Sequence, residues 1–114
     1  MLGHIDDNLG KPILSSEASK ANMKVLVSPK EGWDNHVMRL IEVAPNGYTP
    51  KHQHPWEHIN FVVGGLGELL IEGKTEAVRP GHYAYIPKDT IHQFRNAGNE
   101  PFSFICIVPK EGHK

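Results

Sequence analysis

The sequence predicts an all-β fold, either a sandwich or a barrel of short strands. From Met23 onward, short runs rich in valine, isoleucine, phenylalanine and tyrosine alternate with clusters of turn-forming residues. The chain contains 11 glycines and 9 prolines, many of them in short clusters, which indicates frequent turns. After Met23, no segment has the apolar spacing of an amphipathic helix over three turns. Strands are therefore favoured over helices throughout this part of the chain.

The first segment of the chain differs from the rest. Residues 1–22 are polar, rich in turn residues and weakly patterned, so we expect them to form a loosely held N-terminal arm. Residues 23–114 are expected to form one β-barrel domain, because a chain of 114 residues leaves no room for a second domain of ordinary size.

Eight strands are predicted after this arm, each bounded by residues that adopt turn conformations at low cost. Asn46-Gly47 and Gly64-Gly65 are examples of such boundaries. The predicted strands are Met23–Ser28, His36–Ala44, Ile59–Val63, Glu68–Glu72, Glu76–Val78, His82–Ile86, His92–Asn96 and Phe102–Val108.

Composition excludes several classes of function. Lys and Arg total 12 against 13 acidic residues, so the chain lacks the basic surplus needed to bind nucleic acid or an anionic membrane. No apolar run approaches the roughly 18 residues that span a membrane. The single cysteine, Cys106, excludes a disulfide within the chain. The first residues lack the pattern of a signal peptide, so we expect a cytoplasmic protein.

Histidine is unusually frequent, with eight in the chain and three, His52, His54 and His58, within seven residues. Alternate side chains of a strand share a face, so a regular strand would project all three to one side. The spacing of His54 and His58 also suits a metal-binding helix, but Pro55 and the β-rich run after His58 disfavour one. His92 begins a separate strand that a barrel could bring to the same point. A single histidine is usually a surface or core residue, whereas four converging imidazoles predict a metal site suited to zinc, copper, iron or nickel.

Two stretches around these histidines resemble the two sequence motifs of the cupin family. Residues 47–65 resemble the first motif, in which a glycine precedes a His-X-His pair and a further ligand position. Residues 81–96 resemble the second, in which a glycine and a proline precede a histidine and an asparagine. The resemblance implies a double-stranded β-helix, the cupin jelly-roll barrel. It also implies one divalent metal ion with four ligands: His52, His54, His58 and His92.

The chain departs from these motifs at three positions. Gly47 lies one residue closer to the histidine pair than the first motif asks. Asp89 replaces a glycine of the second motif, so its turn must adopt a conformation that a non-glycine residue tolerates. His58 occupies the usual glutamate position, as in four-histidine cupins. Because the chain also resembles small manganese-type cupins of thermophilic bacteria, manganese is the expected metal, with iron, zinc, copper and nickel as alternatives.

Four further residues are candidates for substrate binding. Strand alternation places Phe104 and Cys106 on one face, and Phe94 shares the face of His92. The resemblance implies that these side chains line a small apolar pocket beside the metal, although core packing is the ordinary role of each. Arg39 lies within an apolar run, where it either binds a substrate carboxylate or forms an ordinary ion pair.

The sequence contains no recognisable Ser-His-Asp set, phosphate-binding glycine loop or carboxylate pair, so catalysis is expected to come from the metal. An octahedral ion with four histidines has two open positions, and neutral ligands leave its charge uncompensated. The first hypothesis is an oxidoreductase that uses O2 or peroxide on a small organic substrate. The alternatives are a non-redox isomerase or lyase and a metal-dependent binding module without turnover, and a fold alone does not choose between them.

The prediction of the oligomeric state depends on strands that are apolar on both faces, notably Phe102–Val108. One face meets the core, and the other is either buried within the fold or contacts a second protomer. We expect a homodimer that binds a small molecule.

Overall fold

The computed structural model describes residues 1–113, so Lys114, the last residue of the predicted domain, lies outside the described residues. The strands are β1 (Lys11–Pro12), β2 (Ser19–Val27), β3 (His36–Tyr48), β4 (His58–Gly64), β5 (Gly67–Ile71), β6 (Lys74–Val78), β7 (Tyr83–Ile86), β8 (His92–Asn96) and β9 (Phe102–Pro109). Short 3-10 helices span Ile5–Asp7, Pro29–Glu31 and Lys110–Gly112. None of the helices in this part of the chain is long and apolar enough to cross a membrane.

The strands form one curled antiparallel sheet, which confirms the predicted all-β fold. Its order is β6-β5-β8-β3-β9-β4-β7, and β2 also pairs with β3 and carries β1 on its other side. Each of the eight predicted strands overlaps one of the strands β2 to β9. The second half of the chain is the most accurately predicted, and β8 has its predicted bounds, His92–Asn96.

The predicted turn at Asn46-Gly47 is wrong, because β3 continues through it to Tyr48. Asn46 adopts a left-handed conformation with φ 70°, and the register of β2 against β3 shifts here, as in a β-bulge. A Cβ atom on Gly47 would lie 2.7 Å from the carbonyl oxygen of Ser19, so only glycine fits the close approach of the two strands. The bulge lets the end of β3 reach β8, where Tyr48 pairs with a residue of that strand.

The N-terminal segment is partly built into the sheet. β2 begins at Ser19 rather than Met23, and Lys11 pairs with Met23 through β1. Sequence patterning missed this pairing because backbone hydrogen bonds along a sheet do not require an apolar face. The division of the chain into an arm over residues 1–22 and a barrel domain stays a prediction.

The apolar core holds β8 against β9. The ring of Phe94 on β8 stacks on the ring of Phe104 on β9, with centroids 4.1 Å apart. Burying a side chain of this size contributes about 1.5–3 kcal/mol. The same core includes Val37, Ile41, Val43, Val62, Leu69, Ile86, Phe102 and Val108. Because His92 begins β8, this packing also fixes the position of a predicted metal ligand.

Strand β4 alternates strictly between buried and exposed side chains. Its three inward residues are His58, Asn60 and Val62, and its three outward residues are Ile59, Phe61 and Val63. The two polar side chains of this strand therefore point inward together with Val62, and the three outward side chains are all apolar.

Candidate metal centre

Backbone pairing brings the two histidine-bearing segments together. His52 and His92 exchange two hydrogen bonds: each N–H donates to the other carbonyl, at 3.2 and 3.1 Å. The N–H of Asp89 donates to the carbonyl of His54 at 2.7 Å. Asp89 has φ 58°, the left-handed conformation expected at a position where the motif has glycine. These bonds hold the loop before β4 against the start of β8.

Three of the four predicted ligands form a candidate metal cluster at this junction, and the ring of the fourth, His58, lies next to it. Ring nitrogens of His52, His54 and His92 all lie within 4.8 Å of one another. The ring of His58 lies 4.3 Å from the ring of His54 and 5.2 Å from that of His92, measured between centroids. His58 and His92 are buried, whereas His52 is exposed at the mouth of the site. The candidate metal cluster is therefore His52, His54 and His92, and the ring of His58 stacks beside it from β4.

Three of these rings are held by contacts at Nδ1. The Nδ1 atoms of His54 and His92 lie 3.1 and 2.9 Å from the carbonyl oxygens of Trp56 and Thr90. A carbonyl only accepts, so Nδ1 carries the proton and Nε2 keeps its lone pair for a metal. The Nδ1 of His58 lies 3.4 Å from the Sγ of a buried cysteine, and its Nε2 has no partner among the described residues.

The electrostatics of the cluster favour neutral imidazoles. Burial, more than any other cause, lowers the pKa of His54 and His92, because a charged ring loses its contact with water. Burial also lowers the pKa of His58 to about 2, and the neighbouring histidines act in the same direction. Near neutral pH the rings of His54, His58 and His92 are therefore in the neutral form that binds a metal.

A cavity of about 180 Å³ lies between the histidine cluster and the barrel core. The four residues predicted from sequence for substrate binding all line it: Arg39, Phe94, Phe104 and Cys106. Asn60 and Trp56 line it as well. The lining thus combines apolar side chains with a few polar groups, the usual character of a small-molecule site.

One row of side chains crosses the floor of this cavity. Cys106 on β9 pairs directly with Arg39 on β3 and with Asn60 on β4. The Nη2 of Arg39 donates to the Sγ of Cys106 at 3.1 Å, and the same sulfur lies beside His58. No acidic oxygen within residues 1–113 lies within 4.0 Å of the Arg39 guanidinium, so the ordinary ion pair is not formed there.

Sequence reasoning missed two residues of the site. Asn60 shares the inward face of β4 with His58, and its position as the one polar residue of the predicted strand Ile59–Val63 was the available signal. Trp56 was not among the predicted site residues, yet its ring stacks on His54 with centroids 4.6 Å apart and lies against Gly112. By contrast, His82 is exposed and its Nδ1 accepts from the N–H of Arg79, as expected for a surface histidine.

Comparison with known proteins places the fold in a known class. Residues 39–108 match the Cupin_2 family, described as a cupin domain. The structure of the polyketide cyclase RemF from Streptomyces resistomycificus superposes with a TM-score of 0.89, covers 96% of this chain and 78% of that chain, and is 31% identical. This likeness confirms the predicted jelly-roll β-barrel.

Two characterised relatives are similar in sequence. The polyketide synthase CurC of Streptomyces cyaneus is 30% identical over 106 residues, which cover 88% of this chain and 69% of CurC. The 1-methylthio-D-xylulose 5-phosphate methylsulfurylase of Rhodospirillum rubrum is 31% identical over 77 residues, 68% of this chain and 49% of that protein. The chain therefore spans about half the length of the methylsulfurylase.

Proposed function

Since the chain belongs to the Cupin_2 family of cupin domains, we propose that its histidine cluster is the metal centre of a small enzyme. The proposed ligands of one divalent ion are His52, His54, His58 and His92. The observation that carries this proposal is the orientation of the rings. Backbone carbonyls accept from Nδ1 of His54 and His92, and thereby leave Nε2 of both rings free to bind a metal.

The chemistry of the donor set fits a divalent transition metal. Four nitrogen donors suit manganese, iron, zinc, copper or nickel, and resemblance to manganese-type cupins makes manganese the first choice. When bound, such an ion supplies Lewis acidity and, for manganese or iron, one-electron chemistry. The chain itself supplies the cavity: the rings of Phe94 and Phe104 make part of the lining apolar, and Arg39 and Cys106 offer polar contacts.

The reaction that we propose first is oxidation of a small organic substrate by O2 or peroxide. In the balanced reaction the substrate loses two electrons and two protons, which reduce O2 to hydrogen peroxide or hydrogen peroxide to two waters. The absence of Asp and Glu from the cavity lining within the described chain supports this choice, because enolisation and elimination need a general base. The apolar wall formed by Phe94 and Phe104 also suits an organic substrate.

A second candidate is non-redox chemistry on a carbonyl compound. It is favoured by the name of the similar cyclase RemF, since ring closure at a carbonyl needs a Lewis acid rather than an oxidant. A binding module without turnover is the third possibility considered from the sequence.

Turnover assays distinguish these functions. Metal-loaded protein is incubated with a panel of small acids, alcohols, thiols and carbonyl compounds while O2 and peroxide are monitored, and products are followed by NMR. We expect oxidant consumption by the wild type and by His82→Ala, and none by His54→Ala. Metal-loaded protein that consumes no oxidant over the panel would overturn the first function, and an isomerised or cyclised product would then establish the second.

We also propose that the chain forms a homodimer through the outer face of β4 and β7. Five large apolar side chains are exposed on this face: Ile59, Phe61, Val63, Tyr83 and Tyr85. A continuous apolar surface of this kind is typical of a protein interface. Light scattering should give twice the chain mass of 12.7 kDa, and a mass near 12.7 kDa at working concentration would contradict the dimer. The cytoplasmic location stays a prediction.

A further inference from the structure

Three polar side chains form one inward-facing row at the floor of the cavity. Arg39, Cys106 and Asn60 lie side by side on β3, β9 and β4, and Cys106 is the cross-strand partner of both others. Neighbouring strands are separated by about 4.8 Å, so the backbones at Arg39 and Asn60 lie about 10 Å apart. A small molecule can therefore contact both side chains from above the sulfur.

The polar atoms of this row are buried and only partly satisfied. Arg39 is 8% exposed and Asn60 is 2% exposed. The Nε of Arg39 and both side-chain polar atoms of Asn60 have no hydrogen-bond partner among residues 1–113. Burial of unpaired groups of this kind is costly, whereas an apolar residue would fill the same position without that cost. Their presence in the lining of a cavity points to a ligand that completes their hydrogen bonds.

The charge of the cavity specifies an anion. Arg39 is the positively charged group of the lining, and the part of the lining that the structure describes contains no Asp or Glu. A divalent ion on the four histidines adds further positive charge. The planar guanidinium binds a carboxylate through charge-assisted hydrogen bonds, which are stronger than neutral ones.

Asn60 specifies a second group on the same ligand. Its amide presents a donor, Nδ2, and an acceptor, Oδ1, and both are unpaired. A hydroxyl also donates and accepts, whereas a carboxylate only accepts. The apolar wall around Phe94 and Phe104 and the volume of about 180 Å³ restrict the remainder of the ligand to a small apolar group.

We propose that Arg39 and Asn60 form the recognition subsite for a small hydroxycarboxylate. The carboxylate contacts Arg39, and the hydroxyl contacts Asn60. This inference rests on the proposed function in two respects: the ligand is taken to be the substrate of the metal centre, and the proposed ion adds to the charge that attracts it. The subsite itself is made of residues that are not metal ligands.

The test is calorimetric titration with three probes: lactate, propanoate and inorganic phosphate. Propanoate lacks the hydroxyl of lactate, and phosphate replaces the carboxylate with a different anion. Each probe is titrated into metal-free and metal-loaded wild type. We expect lactate to bind more tightly than propanoate and phosphate in both forms, and tightest in the metal-loaded form.

Substitutions assign the binding to the two residues. Arg39→Met should weaken lactate binding by at least about tenfold, since it removes a charge-assisted hydrogen bond. Asn60→Ala should abolish the advantage of lactate over propanoate and leave propanoate affinity unchanged. Arg79→Met, which removes an exposed arginine outside the cavity, should behave like the wild type. Arg39→Lys keeps the charge and serves as a second variant if Arg39→Met does not fold.

The outcomes separate this inference from the metal proposal. Equal lactate affinity in the wild type and Arg39→Met, or tighter binding of phosphate than of lactate, would overturn the subsite. If the wild type takes up no metal but binds lactate through Arg39, the subsite stands and the metal centre fails. If the wild type and Arg39→Met hold the same amount of metal and only Arg39→Met loses lactate binding, the subsite and the metal centre both stand.

Discussion

The two faces of β4 differ in chemistry, and apart from the buried Val62 each reverses what a half-buried strand usually shows. The inner face buries an imidazole and an amide, His58 and Asn60, whereas the outer face exposes Ile59 and Phe61 to 52% and 46%. An ordinary strand of this kind buries apolar groups and exposes polar ones. Buried polar groups beside a cavity indicate a ligand site, and exposed apolar groups indicate a protein interface. The inversion therefore separates a chemical face from an assembly face along one strand.

The largest expected effect comes from truncating an inward phenylalanine, Phe104 on the neighbouring strand β9, and the matched control truncates the outward Phe61 of β4. Phe104→Ala removes a ring that is 2% exposed and stacked on Phe94, and should lower the free energy of unfolding by about 3–5 kcal/mol. Phe61→Ala removes a ring that is 46% exposed, and should cost the monomer less than about 1 kcal/mol. Urea unfolding of dilute samples measures both. An equal decrease in the free energy of unfolding for the two variants would show that the outer face belongs to the core.

The second effect is a loss of stability in acid that originates on the inner face. Burial holds the pKa of His58 at about 2 in the folded protein, below the 6.5 of an exposed histidine. The contribution of the neutral His58 ring to the free energy of unfolding is therefore complete above pH 6.5. It decreases as pH falls towards 2, because His58 takes up a proton in the unfolded chain but not in the folded protein. At about pH 5 the loss from this group is about 2 kcal/mol.

Chemical unfolding of metal-free protein at a series of pH values measures this dependence. His58→Gln should reduce the slope below pH 6.5 by about one proton, and His82→Ala should leave it unchanged because that ring is exposed. A slope that is identical in the wild type and His58→Gln would contradict a buried neutral ring at this position.

The smallest expected effect concerns the outer face. Tyr85→Ala should raise the dissociation constant of the proposed dimer by about tenfold, as truncation of an aromatic interface residue usually does. Its metal content should equal that of the wild type, since Tyr85 points away from the cavity. Sedimentation over a dilution series measures the constant. A dimer of unchanged strength would place the interface elsewhere.

Most of the strands could be predicted from the sequence, because short β-rich runs and turn residues report local conformation. The predicted strand at His92–Asn96 is accurate, since turn residues bound it on both sides. The extension of β3 through Asn46 could not be predicted, because asparagine and glycine at positive φ occur both in turns and in bulges. Whether a turn or a bulge forms at Asn46 depends on the partner strand, β2.

The sequence indicated the histidines of the candidate site more directly than the row formed by Arg39, Cys106 and Asn60. His52, His54 and His58 are close in sequence, and the motif around His92 supplied the fourth ring. Asn60 was missed because one polar residue in an apolar strand has no spacing pattern of its own. Its role depends on which residues of β3 and β9 lie beside it, and strand order decides this.

The central claim is that the histidine cluster holds one metal ion, and elemental analysis tests it most directly. Tag-free wild type, His54→Ala and His82→Ala are purified without added metal and analysed for manganese, iron, zinc, copper and nickel. We expect close to one equivalent in the wild type and in His82→Ala, and none in His54→Ala. No metal in the wild type, with none taken up on reconstitution, would contradict the claim, as would equal metal content in His54→Ala and the wild type.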